Sequence, residues 1–232
     1  VVRWAEEFQK IQLGVKIDVQ AGGAGKGVAD VLSGAAHLGM VSRELHPEEI
    51  RRGAVAFPVA RDAVVVTVPA RNPYLKSLLS RGLTREELKQ IWISGRIRTW
   101  SQLLKTDRQE AIHVYTRSDA CGAGETWAAF LGGRQEDLQG TGVYGDPGVA
   151  EAVRRDPLGL GYNNLNFAFD PKTFLPVKGL VVLPIDLNNN GQIDPEESFM
   201  THRSNLVQAI QAGKYPSPPD RKSTRLNSSH SQ

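Results

Sequence analysis

The sequence has a single cysteine, Cys121, so no disulfide can form within the chain, and cysteine usage does not reveal a redox compartment. It has no apolar run long enough to cross a bilayer as a helix. Net charge is scarce: 28 Lys and Arg against 25 Asp and Glu leave +3, and the positive charges form no stripe. With no nucleic-acid motif either, binding to DNA or RNA is not expected. Repeats and low-complexity stretches are missing up to residue 219. Residues 220–232 then turn polar and patternless and read as a non-native tail, excluded from fold reasoning. The rest is an ordinary globular composition, 40% hydrophobic and 23% charged, and 232 residues suffice for two modest lobes or one large domain.

The start also lacks its usual punctuation. The chain opens inside an amphipathic helix around Trp4, Phe8 and Ile11, with no cap and no strand before it. It therefore reads as a fragment without its true start, and the absence of a signal peptide says nothing about location.

What is present is an alternation of strand-like and helix-like runs, which argues for an α/β protein with open sheets. Two of the strand-to-helix turns are glycine-rich. Gly22-Gly23-Ala24-Gly25-Lys26-Gly27 follows a strand-like run at 15–20 and leads into a helix at 28–33. Arg117 to Gly124 follows a strand-like run at 111–116 and leads into a helix at 125–131. A helix start exposes unpaired N–H groups and carries partial positive charge, and glycine lets that backbone approach a ligand. Two such starts aimed at one point would make an anion site without a metal. Further strands are expected at 37–41, 63–68, 160–162 and 179–184. Helix starts are expected at Asn72-Pro73, at the Thr84–Glu87 capping box, at Thr99 and at Asp146-Pro147, with a last helix over 204–212.

The first turn is neither a Walker A loop, which needs Ser or Thr where Gly27 stands, nor a G-x-G-x-x-G fingerprint. Nucleotide binding is therefore disfavoured. In the second turn Arg117 offers a guanidinium fork for an oxyanion, or alternatively a structural pair with Asp119. Cys121 at a helix start invites a nucleophile reading, with His113 near in sequence. The plainer reading is a small residue packed at a helix start. Trp92, Trp100 and Trp127 read as core.

Residues 186–197 match the Ca²⁺ loop of an EF-hand at each diagnostic position. Asp186, Asn188 and Asn190 supply side-chain oxygens, and Gln192 a backbone carbonyl. Asp194 coordinates directly or through water, Glu197 closes the site, Gly191 makes the turn and Ile193 packs inward. Oxygen ligands without His or Cys suit Ca²⁺. A strand precedes the loop and a helix is expected to follow, so it reads as a structural clip.

Taken together, four blocks resemble the phosphate-binding-protein-like family of ABC-transporter substrate-binding proteins, over about residues 1–219. They are Gly22–Val28 with Gly39–Glu44, then Thr116–Ala123, then Gly145–Gly148, then Gly159–Tyr162. The resemblance implies a two-lobed type II periplasmic-binding-protein fold, with an open mixed sheet in each lobe and an oxyanion held in the cleft. Lobe I would be 1–67 plus 176–219 and lobe II 68–175, hinged near 65–68 and 175–178, with the first and last strands of the family lacking. Carried over by motif, the ligand set is Ala24, Gly25, Ser42, Arg43, Arg117, Asp119, Cys121, Gly122 and Ala123. Ala24, Cys121 and Ala123 stand where the family has polar side chains, and Ser42 where phosphate binders place an Asp. An acceptor for protonated phosphate would then come from Asp119 or Asp62. The implied function is capture of an inorganic oxyanion, phosphate first, for ABC permease subunits. The protein would be a periplasmic or extracellular monomer, with membrane anchoring left open. Sulfate, molybdate or tungstate is the alternative ligand, and a Cys121-dependent hydrolase or phosphatase the alternative class.

Overall fold

The computed structural model describes residues 1–20, 22–59 and 62–216; the tail at 220–232 lies outside the described residues. The chain forms two compact units, Val1–Val55 and Ala56–Gln232.

The first unit carries α1 (Val2–Ile11), α2 (Ala24–Leu32) and α3 (Pro47–Arg51). The strands expected at 15–20 and 37–41 are not formed: both segments are irregular and belong to no ladder. Their β-prone residues are exposed, with Leu38 at 85% and Met40 at 46%. A strand is defined by its partner, and among the described residues of this unit none is available to them. Segment 37–41 instead lies against α2, where two glycines allow backbone to touch backbone. A Cβ on Gly27 would sit 2.8 Å from the Met40 carbonyl oxygen.

The second unit begins with β1 (Val64–Pro69), α4 (Leu75–Arg81), β2 (Leu83–Thr84), α5 (Arg85–Trp92) and α6 (Trp100–Leu104). Next come β3 (His113–Arg117), α7 (Gly122–Leu131), a 3₁₀ turn (Gln135–Asp137), β4 (Thr141–Val143) and α8 (Gly145–Arg155). The last elements are β5 (Gly159–Asn164), α9 (Leu165–Ala168), β6 (Leu180–Val182), β7 (Ile185–Asp186) and α10 (Arg203–Gln211). Five strands form one mixed sheet in the order β4-β3-β5-β1-β6, and β2 pairs with β7 in a parallel two-stranded ladder. Strand β3 runs parallel to β4 and β5, whereas β1 is antiparallel to β5 and β6.

Strand β1 is buried throughout, and its period of two divides the core between the sheet faces. Val64, Val66 and Val68 join Leu160, Tyr162 and the tryptophans under α5 and α7. Val65 joins Phe169, Phe199, Met200 and Leu206. The capping box at α5 forms as expected, with Thr84 Oγ1 accepting from the Glu87 N–H and the Glu87 carboxylate accepting from the Thr84 N–H.

Two helix starts differ from expectation. Asn72 Oδ1 accepts from the Tyr74 N–H, which closes a turn around Pro73 and delays α4 to Leu75. Helix α8 begins at Gly145, one residue before Asp146, so Asp146 is not its cap and its carboxylate goes elsewhere. The loop at 186–197 follows a strand, as expected, but turns rather than a helix come directly after it, and α10 starts only at Arg203.

Candidate functional site

Because β3, β4 and β5 are parallel, their carboxyl ends lie along one edge of the sheet. The turns into α7, α8 and α9 gather there. The chain leaves β3 for the edge strand β4 and then crosses back to β5 on the other side of β3. Such reversals of strand order open a crevice at the strand ends, and Arg117 closes β3 at that point.

The side chain of Arg117 is only 7% exposed and lies between two carboxylates. Its Nε donates to Asp119 Oδ1 at 2.8 Å and its Nη2 to Asp119 Oδ2. Its Nη1 stands 2.7 Å from Asp146 Oδ2. Asp119 Oδ1 also accepts from the Gly145 N–H at the start of α8, so one carboxylate ties both helix starts to the arginine. Burial opposes the charge on Arg117, but the hydrogen bonds to Asp119 and the field of Asp146 raise its pKa. Asp119 is correspondingly lowered, first by its bond to Arg117.

The backbone of Arg117 is fixed from below. Its N–H donates to the Tyr162 hydroxyl, which also pairs with Thr116 Oγ1 at 3.0 Å. Tyr162 is fully buried and stacks on Trp127 at 5.6 Å between ring centroids.

At the start of α7, Gln135 bridges the turn. Its Oε1 accepts from the Cys121 N–H at 3.0 Å and its Nε2 donates to the Asp119 carbonyl. Cys121 Sγ accepts from the Gly124 N–H, and the Glu125 N–H reaches the Cys121 carbonyl. The N–H groups of Gly122 and Ala123 are left with no hydrogen-bond partner among the described residues. Both residues are buried. Adjacent buried N–H groups without an acceptor are rare, and at a helix start such groups are suited to an anion.

The thiol of Cys121 is buried, and burial pushes its pKa up. His113 does not approach it: the His113 ring is hydrogen-bonded to Asp156 at 2.7 Å. The Gly124 N–H and the charge of Arg117 favour the thiolate, but burial outweighs them. Native Cys121 is expected to react with a thiol-specific reagent at pH 8 at least about tenfold more slowly than the unfolded chain. Comparison of the reaction time courses with and without denaturant checks this.

Of the other candidates, Ala24, Gly25, Ser42 and Arg43 lie in the first unit, whereas Asp62 lies in the second, within the field of Asp146. Ala24 and Gly25 open α2, which has no side-chain cap. Ser42 is exposed. Arg43 forms a two-pronged pair with Glu49, both contacts at 2.8 Å, and this pulls the Glu49 carboxyl down to about 2. Asp62 Oδ1 accepts from the Ala63 N–H, and burial raises the Asp62 pKa. Reasoning from sequence alone overlooked Tyr162, Gln135 and Asp146 as supports of the site. Tyr162 and Asp146 stand inside two of the motif blocks, whereas nothing in the sequence marks Gln135.

In the 186–197 loop Asp186 is 1% exposed and Glu197 4%. Asp186 accepts from the N–H groups of Asn190 and Gly191. Glu197 accepts from those of Leu187, Asn188 and Asp194. The side-chain amides of Asn188 and Asn190 both donate to Asp194 Oδ2 at 2.8 Å. Gln192 donates its N–H to Asn190 Oδ1.

A family model described as a PBP superfamily domain matches residues 1–220. The chain belongs to this family. A phosphate-binding protein PstS from Methanocaldococcus jannaschii is 29% identical over 90% of this chain and 59% of its own length. A phosphate-binding protein PstS from Bacillus subtilis is 28% identical over 78% of this chain and 58% of its own length. The chain thus spans less than two thirds of either relative. Among solved structures, a Clostridium perfringens protein, described as a phosphate ABC transporter substrate-binding protein with bound phosphate, superposes with a TM-score of 0.65. It is 21% identical, over 89% of this chain and 74% of that one. An ABC-type phosphate transport receptor from Vibrio cholerae gives 0.61 at 21% identity, over 84% and 73%. These likenesses establish the α/β fold of the type II periplasmic binding proteins. No helix among the described residues is long and apolar enough to cross a membrane.

Proposed function

We propose that the chain is part of an extracytoplasmic solute-binding protein that captures an inorganic oxyanion, phosphate first, for an ABC uptake transporter. The observation that carries this reading is the pair of buried, acceptor-free N–H groups at Gly122 and Ala123, close in sequence to the buried Arg117. Phosphate binding in the names of the relatives supports the choice of ligand. The lobes at 1–67 with 176–219 and at 68–175, the periplasmic or extracellular location, the monomeric state and the permease partner belong to the same reading. So do the further ligand contacts at Ala24, Gly25, Ser42 and Arg43. The role is binding, without covalent chemistry: the buried thiol, with His113 turned to Asp156, favours this over a hydrolase. A thermal-shift screen tests the reading. Phosphate is expected to raise the melting temperature, and the increase should persist in Cys121→Ser. No rise with phosphate, sulfate or molybdate would reject it.

The 186–197 loop is proposed to hold a structural Ca²⁺. Asp186 and Glu197 are buried carboxylates that form no ion pair with Lys or Arg among the described residues, which is costly without a cation. Asp186, Asn188, Asn190, Asp194, Glu197 and the Gln192 carbonyl would hold it, with the two asparagine amides turned to present oxygen. At Ca²⁺ one-hundredfold above Kd the gain is about 2.7 kcal/mol. The melting temperature is expected to fall on adding a chelator and to recover with Ca²⁺ but not Mg²⁺. Asp186→Ala should lose the response, and a chelator-insensitive wild type would contradict the site.

A further inference from the structure

Resting on the oxyanion reading above, we infer that Gln135 is a positioning residue that fixes which N–H groups the start of α7 offers the anion. Residue 124 is glycine to admit it.

Four N–H groups follow one another at this helix start, those of Cys121, Gly122, Ala123 and Gly124. Gly124 donates to Cys121 Sγ. Cys121 donates to Gln135 Oε1 at 3.0 Å. Only Gly122 and Ala123 then remain open among the described residues. Without Gln135 the Cys121 N–H would be a third open donor. The other end of the same side chain holds the turn two residues earlier, where Gln135 Nε2 donates to the Asp119 carbonyl at 2.6 Å. A carboxamide carries a donor beside an acceptor and so meets one N–H and one carbonyl of a single turn. A carboxylate has no hydrogen to give the Asp119 carbonyl. Asp119, held by its backbone in this way, carries the carboxylate that grips Arg117. One side chain thus orders both halves of the site.

Gln135 is itself anchored from α5. It opens the 3₁₀ turn at Gln135–Asp137, and Gln139 just beyond that turn is bonded twice to the end of α5. The Gln139 N–H donates to the Trp92 carbonyl at 2.6 Å, and its Nε2 donates to the Ile93 carbonyl at 2.7 Å.

Gly124 gives the independent observation. It is buried within α7 and is not among the glycines with positive φ, so its backbone does not require glycine. Alanine is also the better helix former. Space is what excludes a side chain. A Cβ on Gly124 would stand 2.7 Å from Gln135 Cδ and 2.9 Å from its Oε1, inside the amide that makes both bonds. An alanine there would therefore push the Gln135 amide off the turn.

Phosphate titration of the wild type, Gln135→Met, Gly124→Ala and the double variant tests the inference. Gln135→Met fills similar space and removes both bonds, and affinity is expected to fall about tenfold. Gly124→Ala should fall by the same factor, although a merely structural reading predicts no loss of binding from a better helix former. The double variant should bind no more weakly than either single one, because both remove one and the same lock. Amide hydrogen exchange gives a readout without ligand: the Cys121 N–H should be protected in the wild type and lose protection in both single variants. Unchanged affinity in folded Gln135→Met or Gly124→Ala, losses that multiply in the double variant, or free exchange at Cys121 in the wild type overturns the inference. If one single variant fails to fold, affinity and exchange in the other decide. Failure of both to fold assigns the bridge to folding and overturns the inference too. A wild type that keeps Cys121 protected but binds no oxyanion refutes the oxyanion reading, and the inference falls with it.

Discussion

Arg117→Ala is expected to abolish oxyanion binding and to destabilise the fold by about 3 kcal/mol. Removing one partner of a buried ion pair leaves the other uncompensated, and here two carboxylates lose their ion-pair partner among the described residues. The Asp119 side chain is 27% exposed and that of Asp146 15%, so water recovers part of the loss and the low end of the usual range applies. Arg117→Lys keeps the charge but lacks the fork that meets both oxygens of Asp119, and should fall between wild type and Ala. The pH dependence has a definite sign. Arg117 lowers the Asp119 pKa in the folded state, so the stability this pair contributes is present above the ordinary carboxylate pKa, about 3.9. It is lost as pH falls through the lowered value. The gap between wild type and Arg117→Ala should therefore be largest near neutral pH and close below about pH 4. Urea unfolding of both proteins across that range measures it.

Trp127→Ala is expected to cost about 3–5 kcal/mol, the range for deleting a buried large aromatic. Trp127 is 2% exposed, meets Trp92 edge-on at 5.3 Å and carries Tyr162 stacked on its face. Its loss should also weaken ligand binding, since Tyr162 holds the Arg117 N–H. Trp100→Ala provides the contrast. Trp100 is fully buried and stacks on Tyr74 rather than on Trp127 or Tyr162, and its deletion should cost comparable stability while leaving affinity intact. Paired measurements of unfolding free energy and phosphate affinity separate the two effects.

The comparison of sequence with structure follows physical lines. Elements marked by local chemistry were legible: the Thr84–Glu87 capping box, the glycine-rich turn before α7 and the all-buried β1. Elements whose definition needs a distant partner were not. Segments 15–20 and 37–41 carry the residues of strands, yet a ladder requires a neighbour that sequence pattern does not supply. The site shows the same division. Arg117 and the amides after Cys121 were legible from their motif, because glycine and a helix start announce an anion receptor. The pairing of Asp119 with Arg117 was legible too, two residues apart, but only as one of two alternatives. Asp146 was read as a cap because Asp-Pro is a common helix opening. Its reach to Arg117 depends on β3 and β4 lying side by side, which the sequence does not show. Gln135 acts through its position alone, bridging the turn from beyond the end of α7.

The central claim is that phosphate docks on the free N–H groups at the start of α7. Amide chemical shifts of the ¹⁵N-labelled chain, followed during phosphate titration, test it most directly. The expected result is saturable movement of the Gly122 and Ala123 amides together with Arg117 Nε, absent in Arg117→Ala. Saturable phosphate binding that leaves the Gly122 and Ala123 amides unmoved would contradict the account.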